Sequence, residues 1–254
     1  MARLSVVVPF FNVQAYIGEA LESIALQTLQ DIEVIMVNDG STDGSAFIAK
    51  SLTARDPRFR LIEQPNRGLG PARNAGVREA SAPYLAFADS DDLVDPHAYE
   101  LLVSSLERTG SDIACGGVRR FKATGLESSW LHDEAFRETV QRTHVTQRPI
   151  LLRDRTAWNK VFRRSFWDAN SLEFPGTLYE DGPVTLRAHV LASSVDIFRD
   201  VVYYWRVRGS GELSITQRAR DIATSSSGWL PSPVLPSSWP RLRRSSNPST
   251  TSPY

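Results

Sequence analysis

Read for alternation of apolar and polar positions, the first hundred residues switch repeatedly between short β-branched runs and helical periods. Leu4 to Val8 is a continuous apolar run, the pattern of a strand buried on both faces, and Pro9 is expected to end it. Ile17, Leu21, Ile24 and Ala25 recur at helical spacing within Ala15 to Gln27, after which Ile32 to Val37 returns to strand character. Gly40-Ser41-Thr42-Asp43 supplies a turn with capping residues before a second helix, Ser45 to Arg55, followed by a strand at Phe59 to Ile62. A helix over Pro71 to Ala80, a strand over Tyr84 to Ala88 and a helix over Pro96 to Leu106 complete the series. Such alternation predicts an α/β fold with a mostly parallel central sheet and helices on both faces.

The second half is less regular. Ile113 to Val118 reads as a strand, but Lys122 to Gln147 has mixed polarity without a clean period and is assigned as an insertion. Pattern returns in Trp158 to Trp167, in a helix from Pro183 to Ala192 and in two β-rich runs, Val195 to Phe198 and Val201 to Trp205. Ser214 to Ala223 begins a helical continuation that is cut off abruptly. Thr224 to Tyr254 holds ten serines, six prolines and no acidic residue, so it has little to bury and is expected to be a disordered tail. Its sudden onset fits a reading-frame shift or a truncation of the coding sequence.

Composition narrows the function. Twenty-nine basic and twenty-nine acidic residues in 254 cancel, which removes the electrostatic footprint of a general nucleic-acid binder. Cys115 is the only cysteine, so an intrachain disulfide and a cysteine-built zinc site are both excluded and a reducing compartment is expected. The apolar run before Pro9 is too short for a signal-peptide core and no later run approaches a membrane span, which predicts a cytoplasmic protein with, at most, peripheral contact at the inner face of the membrane.

In open parallel sheets, ligands sit beyond the carboxyl ends of the strands, so the polar residues just after each strand carry the chemistry. Four segments qualify and are expected to line one rim: Pro9-Phe10-Phe11-Asn12, Asn38 to Asp43, Asn66 to Asn74 with Gly68 and Arg73, and Asp89-Ser90-Asp91-Asp92. Asp95-Pro96 already accounts for the start of the next helix, leaving three aspartates unexplained by capping. Carboxylates this close repel one another unless a cation sits among them, and Mg²⁺ or Mn²⁺ takes one or two protein carboxylates and completes its shell with water and phosphate oxygens. A solvated acidic turn is the bland alternative. Asp39 is placed to accept from a ribose hydroxyl or a base imino group, or simply to serve its turn. Gly68 to Arg73 fits neither the dinucleotide fingerprint nor a P-loop, but its turn, helix N-terminus and arginines suit phosphate.

These segments, in this order, resemble the motif set of family 2 glycosyltransferases of the GT-A fold, strongly over residues 4 to 106 and more weakly through Trp158-Asn159-Lys160, Glu180-Asp181 and Ser214-Ile215-Thr216. The resemblance implies a GT-A-like domain over residues 1–223, with 4–118 as the nucleotide-sugar half and 119–223 as the acceptor side. It implies that Pro9, Phe11, Asn12, Asn66, Gly68, Arg73, Asn74 and Ser90 line the nucleotide sugar, that Asp39 holds base or ribose, and that Asp89 holds ribose. Asp91 would bind the metal, with Asp92 as a rival ligand. Asp181 would be the catalytic base of an inverting transfer from a nucleotide sugar, most often UDP-linked, to a carbohydrate or envelope-polymer hydroxyl, with Glu180 orienting or tuning it. Asp181-Gly182-Pro183 also reads as an N-cap followed by proline in the first turn.

Some relatives add a metal-binding histidine near the end of the domain; this chain has Arg206 and Arg208 there, which suit a diphosphate or a solvated face. His97, His132, His144 and His189 show no ligand spacing and read as ordinary surface or helix residues. The arginines between Arg137 and Arg164 suit an anionic acceptor or a membrane surface, with a solvated face as the plainer reading. Two other functions stay open: a sugar-phosphate nucleotidyltransferase and a noncatalytic nucleotide-sugar-binding remnant.

Overall fold

A computed structural model describes residues 1–209, which form one unit. The expectations for Ser214 to Ala223 and for the tail from Thr224 lie outside the described residues. The chain runs β1 (Leu4–Phe10), α1 (Ile17–Ala25), β2 (Ile32–Asn38), α2 (Ser45–Thr53), β3 (Phe59–Glu63), α3 (Leu69–Glu79) and β4 (Tyr84–Phe87). It continues with β5 (Leu93–Val94), α4 (Ala98–Thr109), β6 (Ile113–Lys122), β7 (Gly125–Ser128), α5 (Trp130–Asp133), β8 (Val140–Thr143), a 3₁₀ turn at Pro149–Arg153, β9 (Lys160–Arg163), α6 (Arg164–Ala169), α7 (Asp181–Leu191) and β10 (Val195–Arg206).

The strands form one sheet in the order β3-β2-β1-β4-β9-β6-β10-β5, with β7 on β6 and β8 on β10. Side chains on successive positions of a strand face opposite sides. Leu4, Val6, Val8 and Phe10 of β1 therefore enter one core layer with Ile17, Leu21 and Ile24 of α1 and Leu102 and Leu106 of α4. Val7 enters the other layer with Ala72 and Ala75 of α3, Trp167 of α6 and Ala188 of α7. Helices on both faces explain why β1 carries no exposed residue.

Three expectations need correction. β1 does not stop at Pro9 but runs on to Phe10, in register with Val37 and Asn38 of β2. Val7 C=O accepts from Ala88 N–H while Phe10 C=O accepts from Asp39 N–H, so the nitrogen of Pro9 faces β4, whose pairing with β1 has already ended at Val7. The missing N–H costs the ladder nothing. Second, Val195 to Phe198 and Val201 to Trp205 are one strand, β10, with register shifts against β6 between Phe198 and Val201 and between Val201 and Tyr203. Third, the segment assigned as an insertion contains β7, α5 and β8. Every residue of β7 is exposed, so no apolar alternation marks it.

β9 runs against the parallel strands from within the sheet, as β5, β7 and β8 do at its margins. It lies between β4 and β6, antiparallel to both. β3, β2, β1, β4, β6 and β10 share one direction, so the loops after them emerge on the same side. No helix among the described residues is long and apolar enough to cross a membrane.

Candidate active site

The loops after β1 and β2 are stapled together by side chains. Asn12, at φ 50°, accepts Thr42 N–H on Oδ1 at 2.8 Å and donates its own N–H to Ser41 Oγ at 3.2 Å. Asn38 Oδ1 takes Ser41 N–H at 2.9 Å. Pro9 is buried beneath this junction and Phe11 stands exposed beside it. Buried Asp39 ties the next loop down: Oδ1 accepts from Gln64 Nε2 at 2.7 Å and from Arg67 N–H at 2.9 Å, and Oδ2 accepts from Gly68 N–H at 2.8 Å. Asn66 and Gly68 are left at the exposed rim.

Arg73 departs from its sequence reading. It does not face a phosphate; it is 1 % exposed and its guanidinium is spent on three carboxylates. Nη2 donates to Asp89 Oδ1 at 2.6 Å, and Nη1 donates to Glu180 Oε1 and Asp181 Oδ1. Burial opposes the charge, but Asp181, Asp89 and Glu180 together hold the Arg73 pKa above its ordinary value. Asn74, one residue on, is also engaged away from the rim. It exchanges two hydrogen bonds with the backbone of Phe174, at 2.8 and 3.0 Å. Gly70 allows that approach, since a Cβ there would stand 2.1 Å from the carbonyl oxygen of Pro175.

Asp181 opens α7 without capping it. The helix begins at Asp181 itself and carries no side-chain cap at Glu180, so the N-cap reading of Asp181 is corrected. The carboxyl turns instead to Arg73 and, through Oδ2, to Ala157 N–H at 3.0 Å. Burial pushes its pKa up to about 7, with Arg73 pulling down and Asp89 and Glu180 pushing up. A carboxyl titrating near neutrality in a cleft is suited to taking and returning a proton.

The aspartates after β4 divide by exposure. Ser90 and Asp92 are buried, whereas the side chains of Asp89 and Asp91 are 27 % and 17 % exposed. Asp92 Oδ1 accepts from Arg206 N–H at 2.7 Å, and the Tyr203 hydroxyl is a further partner. Burial, together with Asp91 and Asp89, raises the Asp92 carboxyl well above its usual range. Asp91 is raised by burial and by Asp89, against the pull of Arg208. Arg208 Nε lies 2.8 Å from Asp91 Oδ2, and Arg206 Nε donates to Asp91 C=O at 2.6 Å while its Nη2 holds Glu19. Both guanidiniums lie over the Tyr16 ring.

Among the described residues no three His, Cys, Asp or Glu side chains form a metal cage. The donor set nonetheless fits a hard cation that keeps water and phosphate oxygens in its shell: two part-exposed carboxylates whose charges repel, each already drawing a guanidinium, Asp89 that of Arg73 and Asp91 that of Arg208. Asp92 fits that role less well, being buried with its oxygen engaged.

Residues to which the sequence reading assigned no role hold this arrangement in place. Tyr203 accepts Asp89 N–H at 3.0 Å and stacks on Trp158 at 4.3 Å between ring centroids. Lys160 is buried on Asp154, with Asn159 and Thr156 closing the network. Two of the histidines lie in helices, as expected, and are buried there. His132 is buried 3.5 Å from Asp154, and His189 is fully buried, where desolvation lowers its pKa to about 3.

The profile of the family described as glycosyl transferase family 2 matches residues 5–169. EpsH of Bacillus subtilis is 35 % identical over 222 residues, covering 85 % of this chain and 63 % of that relative. The glycosyltransferase GlyA of Streptococcus pneumoniae is 32 % identical over 220 residues, covering 84 % of this chain and 31 % of the relative. TarS of Staphylococcus aureus, a poly(ribitol-phosphate) β-N-acetylglucosaminyltransferase, has been solved with UDP-GlcNAc; that structure superposes with a TM-score of 0.72 at 25 % identity, over 84 % of this chain and 60 % of TarS 1–349. The expected GT-A architecture is thus the observed one, and the chain spans less than two thirds of each of these relatives. On its sequence and its fold alike, this chain belongs to glycosyl transferase family 2.

Proposed function

We propose that the chain is the catalytic domain of an inverting, metal-dependent glycosyltransferase that moves a sugar from a UDP-linked donor to a hydroxyl of a carbohydrate or cell-envelope polymer. The observation that carries the reading is Asp181: a largely buried carboxyl, with a pKa of about 7, coupled through one guanidinium to Asp89 at the rim of the parallel strands. The UDP-GlcNAc complex of TarS and that enzyme's polymer acceptor support the choice of donor and acceptor class. The buried lone cysteine agrees with work in the reducing cytoplasm.

In this reading the loops after β1, β2 and β3 enclose the nucleoside, with Asp39 and Asp89 facing base and ribose. Asp91 and Asp89 would hold Mn²⁺ or Mg²⁺, which when bound offsets the charge of the departing diphosphate. Asp181 takes the proton of the acceptor hydroxyl as its oxygen bonds to the anomeric carbon. The carbon–oxygen bond to the diphosphate breaks on the opposite face, so the centre inverts. Arg73 keeps Asp181 ionisable near neutral pH and fixes it relative to Asp89. Arg206 and Arg208, close to Asp91, would meet the diphosphate in this reading. A sugar-phosphate nucleotidyltransferase is set aside by the family match.

The test is a screen of UDP-sugars with Mn²⁺ for transfer and nucleoside-diphosphate release. Asp181→Asn keeps donor affinity and lowers turnover about 100-fold or more, the scale of a lost general base. Asp91→Asn abolishes metal-dependent nucleotide binding and turnover together. Nucleotide binding without any turnover in the unaltered chain would instead identify a noncatalytic remnant.

A further inference from the structure

A second concave site lies between β6, β10 and the α5 segment. It is a cavity of about 410 Å³ lined by three arginines, Arg119 of β6, Arg137 of the connection after α5 and Arg199 of β10, with Gly117, His132 and Phe136. Asp133 is the one acidic residue lining it, so the cavity is cationic. Among the described residues none of these three guanidiniums has a carboxylate within ion-pair distance, whereas Arg3, Arg58, Arg148, Arg153 and Arg164 each hold one. Arg119 makes a single neutral contact, Nη1 to Ser128 Oγ at 2.9 Å.

The backbone builds the site. β10 slips its register against β6 between Phe198 and Val201, and the slipped residues press on Gly117. A Cβ at Gly117 would stand 3.0 Å from the Arg199 carbonyl oxygen and 3.1 Å from that of Asp200. Arg199 N–H donates to Thr139 Oγ1 at 3.1 Å, which pins the irregularity to the connection before β8. The cavity also adjoins the reaction centre through one short segment. Its wall residue His132 lies 3.5 Å from Asp154 Oδ1 and 5.5 Å from the Trp158 ring, and Ala157, between them in sequence, donates its N–H to Asp181.

We infer that this cavity holds a phosphate group carried by the acceptor, at a unit beside the one whose hydroxyl reacts. Three guanidiniums lining one cavity exceed what a carboxylate can use, while a phosphate offers oxygens to all three. The inference rests on the transferase reading only for naming the bearer of the phosphate.

Calorimetric titration of inorganic phosphate into the full chain at constant ionic strength, with UDP and Mg²⁺ saturating, tests it. Saturable binding is expected, weakened about tenfold or more in Arg137→Gln/Arg199→Gln, with UDP affinity unchanged between the two proteins. Both replaced side chains are exposed, so the fold is retained and the thermal midpoint stays in place. Equal phosphate binding by the two proteins, no binding to the unaltered chain, or acetate binding as tightly as phosphate overturns the assignment. Failure of UDP to bind, with the phosphate result intact, breaks the donor reading and leaves the cavity assignment standing.

Discussion

Arg73 concentrates three negative charges on one buried cation, and its removal strands all of them. Breaking a buried ion pair by deleting one partner costs about 3–5 kcal/mol. Arg73→Gln is therefore expected to lose stability on that scale, read from the urea midpoint, whereas Arg73→Lys keeps the charge but not the fork and falls in between. The same environment sets a pH dependence. Asp181 titrates near 7, is protonated below that value and can accept a proton only above it. Turnover should rise through about pH 7 and then level off, and a profile flat from pH 5 to 8 would remove Asp181 from the role of base. Sequence spacing singled out Asp89 and Asp181 but did not show that Arg73 joins them. Nothing in a linear pattern shows that residue 73 meets residues 180 and 181, because helix α3 and the start of α7 come together only when both pack on one face of the folded sheet.

At the scale of elements, the contact between α3 and the loop before α7 depends on Gly70. Gly70→Ala drives a methyl into the Pro175 carbonyl, and overpacking of this kind costs about 1–3 kcal/mol. Because Asn74 binds the same loop, the substitution should lower transfer more than donor affinity. A methyl added at Gly18, within α1, would meet no atom within 4 Å, so Gly18→Ala serves as the control and should stabilise the helix by about 0.5–1 kcal/mol. Apart from β5, strand and helix order through α4 was legible, because β1, β2 and β4 are buried on both faces and stand out as apolar runs. β5, β7 and β8 escaped notice: β5 is two residues long, β7 wholly exposed and β8 largely polar. β9 was sensed only as a patterned stretch, since its neighbours are set by the sheet and not by its own residues.

For the molecule as a whole, buried ionisable groups pull stability in opposite directions as pH falls: the raised carboxyls of Asp181, Asp91 and Asp92 favour the fold in acid, whereas His189 and Asp154 oppose it. Burial depresses the His189 pKa to about 3, so the unfolded chain takes up a proton first, near the ordinary value of about 6.5. The stability tied to His189 is present above that value and drains away as pH falls toward 3. Lys160 and His132 hold the Asp154 carboxyl well below its ordinary range despite its burial, which adds a second loss below about pH 4. His189 therefore adds a downward slope to the thermal midpoint from pH 7 to 4, against the upward one of Asp181 and Asp92. His189→Leu should remove that downward slope at little cost in hydrogen bonding, since neither ring nitrogen has a partner. The antiparallel strand β9 carries a consequence for the order of synthesis. Until residue 163 has left the ribosome, β4 has only β1 beside it and presents a bare edge, the kind of edge on which chains aggregate. A nascent chain halted between residues 110 and 155 should therefore bind chaperones and resist refolding alone, and one halted once β9 has emerged should not.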